Sequence, residues 1–165
     1  ALGLALAFEP TEPGTMNRPP RSPKEPLLTR LLLWRVLFVS AYFVIGAFAM
    51  FNWALARGLD IETSRTIVVN TIVVLEIFYL FSVRYTRTTS LTLRGVIGTP
   101  AVLIGVVGVV IGQFAFTYLP VMQVLFDSRP VSVPDGLAII GVGVLLLVVV
   151  ELEKRARRAL GWAGG

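Results

Sequence analysis

Four apolar blocks, at about residues 31–55, 66–83, 96–119 and 136–153, constrain this chain more than any other feature. Each is close to or above the ~20 residues that carry a helix across ~30 Å of hydrocarbon. Core helices of water-soluble domains are shorter and keep one polar face. The composition agrees: 55% of the 165 residues are hydrophobic, 15% are charged, and the mean hydropathy is +0.78. A soluble domain needs about a quarter of its residues charged to cover its surface. Strands are excluded by pattern, since Val102–Ile111 and Ile139–Val150 are apolar on every face, whereas membrane barrel strands alternate with a polar lumen side. The expected class is an all-α membrane protein, a four-helix transmembrane bundle spanning 31–153.

Residues 1–8 are apolar but follow no basic region, so they make a poor secretory signal; they read as the end of a preceding membrane helix. Residues 9–30 carry Pro10, Pro13, Pro19, Pro20, Pro23 and Pro26. Proline removes a backbone donor and restrains its predecessor, so this stretch is an extended cytoplasmic loop. Trp34 and Trp53 stand near the two ends of the first span, where amphipathic rings favour the interface, and Arg35 can snorkel toward headgroups. The apolar part of the fourth block ends at Val150, a little short, which predicts a thinned bilayer or an interfacial Glu151. Residues 154–165 form a basic tail. With Glu151 and Glu153, the cluster Lys154, Arg155, Arg157 and Arg158 reads as an anchor to anionic lipid that also complements the helix dipole.

Charge sets the expected orientation. The 9–30 loop, the Arg84–Arg94 loop and the tail hold most of the bases, while the opposite side has Arg57, Arg65 and Arg129 against Asp60, Glu62, Asp127 and Asp135. The positive-inside rule makes the first set cytoplasmic, so both ends of the bundle face the cytoplasm of a bacterial plasma membrane. The net charge of +5 is thus explained by topology, with no nucleic-acid partner.

The chain has no cysteine and no histidine, which removes thiol chemistry and the usual base and metal ligand near neutrality. Phosphate loop, catalytic triad, metal cluster and dinucleotide fingerprint are all missing, so no catalytic residue, metal site or cofactor is assigned to the chain itself. The candidate intramembrane polar or ion-path residues are Asn70, Glu76, Tyr79 and Gln113. Glu76 is the most informative, because a carboxylate in mid-membrane must be protonated, paired, or beside a polar cavity. Tyr79 lies one turn on and is a candidate hydrogen-bond partner; Gln113 or a residue outside the chain are the alternatives. Gly105, Gly108 and Gly112 on the third block are expected to let helix backbones approach closely.

The run ALGLALAFEPTEPGTMNRPPR at residues 1–21 resembles the end of the sixth membrane helix, and the loop after it, in P-type cation-transporting ATPases. Leu4, Ala5, Leu6, Glu9, Pro10, Glu12, Met16, Arg18, Pro19, Pro20 and Arg21 stand at the positions of that family's pattern. Val69–Arg84 is similar to the eighth helix of bacterial members, Phe116–Phe126 to the exit of the ninth, and Val148–Arg158 to the end of the tenth. The resemblance implies that the four spans are helices seven to ten of a calcium-pump-like ATPase, a supporting bundle beside the helices with the main cation ligands. It further implies Mg-ATP as the parent pump's substrate, and as partners the lipid bilayer, the remaining membrane helices and the cytoplasmic domains. The family's D-K-T-G-T phosphorylation motif is not in the chain. The acid that calcium pumps place on the eighth helix maps near residues 84–86, not on Glu76, so Glu76 is not a calcium ligand by analogy. The alternative is a self-contained four-helix membrane protein, such as a small channel subunit or assembly factor.

Overall fold

A computed structural model describes residues 30–84 and 100–159, apart from the side chains of Leu31, Arg84, Ala101 and Arg158. The expected helix stump at 1–8, the proline-rich loop, the loop from 85 and the extreme C-terminus lie outside the described residues. Five helices follow in order: α1 Arg30–Ala56, α2 Ile61–Arg84, α3 Pro100–Tyr118, α4 Pro120–Phe126 and α5 Val133–Ala159. Among the described residues there is no strand. The fold is an all-α membrane bundle.

Among the described residues three helices are long and apolar enough to cross a membrane, with spans at Leu32–Ala56, Ile61–Val83 and Val133–Arg157. Among those same residues a fourth crossing arises if α3 and α4, bent by 77° at Leu119, are taken as one span. α3 runs unbroken to Tyr118, inside the expected third span of 96–119, and the bend falls at the end of that span, for a reason given below. α2 starts at Ile61, about a turn before the expected 66, so Glu62 and Arg65 belong to the helix and not to a loop. α5 is longer at both ends than the expected 136–153, at 27 residues. The predicted shortfall in length is thus absent, and residues 154–159, expected in the tail, continue the helix.

Local chemistry explains the α1–α2 hairpin. Gly58 adopts φ 79°, a left-handed conformation that costs glycine nothing. Its N–H reaches the Leu55 carbonyl at 2.9 Å while the Leu59 N–H reaches that of Ala54 at 3.2 Å, the paired bonds of a Schellman helix stop. Two residues on, Asp60 caps α2: its carboxylate accepts from the Thr63 N–H at 3.2 Å and the Thr63 hydroxyl at 2.6 Å. α5 opens in the same way, with the Ser132 hydroxyl accepting from the Asp135 N–H at 3.3 Å.

α2 is the central helix, packed mainly on α1 and α5, with α3 held more loosely. Two clusters fill the main seam. Met50, Ala54, Ile67, Val131 and Ile139 form one, and Leu75, Leu146 and Val150 form the other. Of the described glycines Gly143 is the most tightly packed: an added Cβ would stand 2.7 Å from Phe78 and 2.8 Å from Val74. Leu80 and Val102 join α2 to α3. Gly105 is half-buried. At Gly108 and Gly112 an added Cβ would meet nothing within 4 Å among the described residues. The expected packing of these two glycines is therefore not made to any described helix.

Polar clasps tie the ends of this three-helix core. At one end Arg57 pairs with Asp135 and lies 4.5 Å over the Trp53 ring, joining α1 to the start of α5. At the other, Trp34 Nε1 donates to Glu153 at 3.1 Å, and Arg157 binds the same carboxylate at 3.0 Å. Glu151 and Lys154 are buried there, 2.8 Å apart, and Lys154 also donates to the Ser82 carbonyl of α2. The reading of this cluster as a lipid-facing anchor is narrowed: Glu153 and Lys154 bind α1 and α2, Glu151 and Arg157 pair with them along α5, and Arg155 stands exposed.

Candidate functional site

The bend after α3 follows from Pro120. Without an N–H, this residue cannot bond the Phe116 carbonyl four positions back, and its ring opposes a straight continuation. The bend frees two carbonyls, which inside a membrane must be satisfied by protein. Ser128 Oγ donates to the Phe116 carbonyl at 2.7 Å, and Gln123 Nε2 donates to the Thr117 carbonyl at 3.0 Å. Tyr118 OH donates to the Val131 carbonyl at 2.8 Å, and the Arg129 N–H donates to Thr66 Oγ1 at 3.0 Å. The segment after α4 is thereby tied back to α3 and to α2. Asp127 closes α4 at φ 52°, a left-handed position that tolerates Asp.

Beside this bend a cleft of about 170 Å³ opens between α2, α3 and the first turns of α5. Its walls are mainly apolar, among them Val74, Ile77, Phe114 and Ile139, and its polar groups are Asn70, Gln113, Thr117 and Tyr118. Asn70 Nδ2 donates to the Thr117 hydroxyl at 3.0 Å and to the Thr66 carbonyl at 2.9 Å. Gln113 stands one turn before Thr117 on the same face of α3. Its Nε2 is buried with no hydrogen-bond partner among the described residues. The cleft thus offers amides and hydroxyls to a small polar guest such as water.

The four predicted polar residues do not form one site. Asn70 and Gln113 share the cleft. Tyr79 is half-buried against α1, edge-on to Phe43 with ring centres 6.4 Å apart. Glu76 is exposed on the outer face of α2 and has no side-chain partner among the described residues. The expected hydrogen bonds from Glu76 to Tyr79 or Gln113 are absent: Tyr79 packs on Phe43 of α1, Gln113 of α3 lines the cleft, and Glu76 is exposed. On insertion scales a charged side chain at the centre of a span costs about 2.5–3.5 kcal/mol, so the setting of Glu76 is the least settled point of the bundle. Sequence reasoning missed Thr117, Gln123 and Ser128. Pro120 inside an apolar run, followed by donors three and eight residues later, was the available signal.

The profile of one protein family, described as cation transporting ATPase, C-terminus, matches residues 1–156. The chain belongs to this family. It is 43% identical over 153 residues to the probable cation-transporting ATPase F of Mycobacterium tuberculosis, an alignment covering 93% of this chain and 17% of that protein. It is 34% identical over 134 residues to the cation-transporting ATPase pma1 of a Synechocystis strain, covering 78% of the chain and 15% of that relative. The human calcium-transporting ATPase type 2C member 1 is 26% identical over 155 residues, covering 94% and 17%. The chain therefore spans less than a fifth of the length of these relatives. The family places the bundle as the C-terminal membrane domain of a P-type cation ATPase, as the motif at residues 1–21 implied. A self-contained four-helix protein is not favoured.

Proposed function

We propose that this domain is the supporting bundle of an ATP-driven cation pump, with the phosphorylated and nucleotide-binding parts in the remainder of the same protein. The family match across residues 1–156 carries this reading. The clasped α1–α2–α5 core supports it, because a unit tied at both ends by Arg57–Asp135 and Lys154–Ser82 suits a fixed frame better than a moving gate. Mg-ATP is the substrate of the parent pump, and this chain does not hydrolyse it alone. The partners are lipid, the upstream membrane helices and the cytoplasmic domains. The membrane is a bacterial plasma membrane, with the basic ends of the bundle on the cytoplasmic side.

The cleft of Asn70, Gln113 and Thr117 contributes hydration and helix-to-helix hydrogen bonding. Its groups are neutral, and bare divalent cations favour several oxygen ligands with carboxylates among them. Among the described residues no three acidic side chains gather as a metal cluster. The test is ATP hydrolysis by the full-length protein in membrane vesicles, assayed with calcium, manganese, magnesium, sodium and potassium in turn. Stimulation by one cation is the expected result, and hydrolysis unaffected by every one of them overturns the reading. In the same assay Gln113→Leu should leave the half-saturating cation concentration unchanged within about twofold, since a neutral helix-contact residue lies outside the cation's ligand shell.

A further inference from the structure

One water at the Gln113 amide would leave most of the cleft beside the α3–α4 bend unfilled. Its volume is about 170 Å³, close to the ~150 Å³ of an engineered cavity that takes benzene, whereas a water's share of liquid volume is ~30 Å³. Ordered water also needs several polar partners, and most of those here are already engaged. Asn70 and Thr117 bond each other at 3.0 Å, and the Tyr118 hydroxyl is given to the Val131 carbonyl at 2.8 Å. The group left over is the Gln113 amide, whose Nε2 is buried without a partner among the described residues.

The rest of the lining asks for an apolar body. Phe114 and Tyr118 of α3 both line the cleft and stack with ring centres 5.8 Å apart, a surface suited to another ring. Phe114, 63% exposed, stands at the mouth. On the α5 side Gly136 leaves room, since a Cβ there would meet nothing within 4 Å. None of the described residues that line the cleft is charged, so an ion entering it would lose its hydration without a counter-charge.

We propose that the cleft is a binding site for a neutral hydroxyl compound of benzene size, a phenol or an aromatic alcohol. The ring is buried against the apolar walls, which supplies the drive for binding, and the hydroxyl bonds the Gln113 amide. A hydroxyl both donates and accepts, so it matches the amide nitrogen or, after a flip of the amide, its oxygen. This goes beyond the hydration and helix contact already assigned to the cleft, and it holds whichever cation the pump carries.

The test irradiates the full-length protein in membrane vesicles with 4-azidobenzyl alcohol and identifies the labelled peptides by mass spectrometry. The expected result is saturable labelling within residues 110–118 and 136–140. Benzyl alcohol should suppress it at a membrane concentration about fivefold below that needed of toluene, which lacks the hydroxyl. Gln113→Leu should abolish that preference while labelling persists. Gly136→Leu fills the cleft with its own side chain and should lower labelling of α3 by about tenfold. Labelling that never saturates, or toluene competing as well as benzyl alcohol in the wild-type protein, overturns the proposal; both readings need no substitution and so do not depend on a variant folding. Undiminished labelling of α3 in Gly136→Leu overturns it as well.

Discussion

The Lys154 ammonium on α5 donates to the Ser82 carbonyl on α2 at 2.8 Å while pairing with Glu151 one turn back on its own helix. Ser82 lies in the last turn of α2, where carbonyls lack intrahelical partners. One buried side chain therefore closes the end of a neighbouring helix and balances a buried acid. It also fixes direction, since α5 must run parallel to α2, and antiparallel to α1, for Lys154 to reach Ser82 and Asp135 to reach Arg57.

Removing half of that arrangement should be far worse than removing both charges. Lys154→Met takes from the buried Glu151 the ammonium 2.8 Å away, and a buried pair broken on one side costs about 3–5 kcal/mol. The double substitution with Glu151→Gln should recover more than half of the loss. Thermal unfolding of the detergent-solubilised protein checks this, and a double variant no more stable than Lys154→Met contradicts it.

Gly143 and Gly141 make an internal comparison on one helix. Gly143→Ala drives a methyl group to within 2.7 Å of the Phe78 ring, and such overpacking costs about 1–3 kcal/mol. Gly141→Ala meets nothing within 4 Å and should be neutral, or stabilising by up to about 1 kcal/mol through helix propensity. Melting temperatures of the two variants should therefore shift apart, with Gly143→Ala the lower.

The apolar blocks announced the helices because hydropathy over ~20 residues is a property of the chain alone. The motif at residues 1–21 announced the family for a similar reason, since fixed residue types at fixed spacing can be read without coordinates. What stayed hidden depends on contacts between distant segments. The 151–158 cluster looked like a lipid anchor because its partners Trp34 and Ser82 are 119 and 72 residues away. Glu76 and Tyr79 looked like a pair because their spacing permits one, but Tyr79 is claimed by the α1 seam at Phe43. Gly108 and Gly112 have the right spacing for close packing and no described neighbour to pack on. The bend at Pro120 was within reach of sequence reasoning; its repair by Ser128 and Gln123 required the fold.

That repair is testable at Ser128. Ser128→Ala removes the donor to the Phe116 carbonyl and leaves a buried acceptor unsatisfied, at a cost of about 1–3 kcal/mol. If Pro120 is the cause, Pro120→Ala restores the missing N–H, so in that background the Ser128→Ala penalty should shrink by at least half. A double-mutant cycle of unfolding free energies measures the coupling, and strict additivity of the two substitutions argues against the shared carbonyl.

The Asp60 cap predicts a pH dependence with a definite sign. Hydrogen bonds from the Thr63 side chain and then from the Thr63 N–H hold the Asp60 carboxyl below the usual carboxylate range. A carboxyl whose value is depressed on folding stabilises the folded state above its unfolded value, about 3.9, and loses that contribution as pH falls through the folded value. At neutral pH the ionised cap thus favours the start of α2, and it also meets the positive end of the helix dipole. Asp60→Ala should be less stable than the wild type by a constant margin from about pH 7 down to about pH 5, and the margin should narrow below about pH 4 as the wild-type carboxyl takes up its proton. Urea or thermal unfolding of both proteins across that range, in the same detergent and salt, decides the matter. A margin that stays constant down to about pH 3 means that the ionised carboxylate is not what caps the helix.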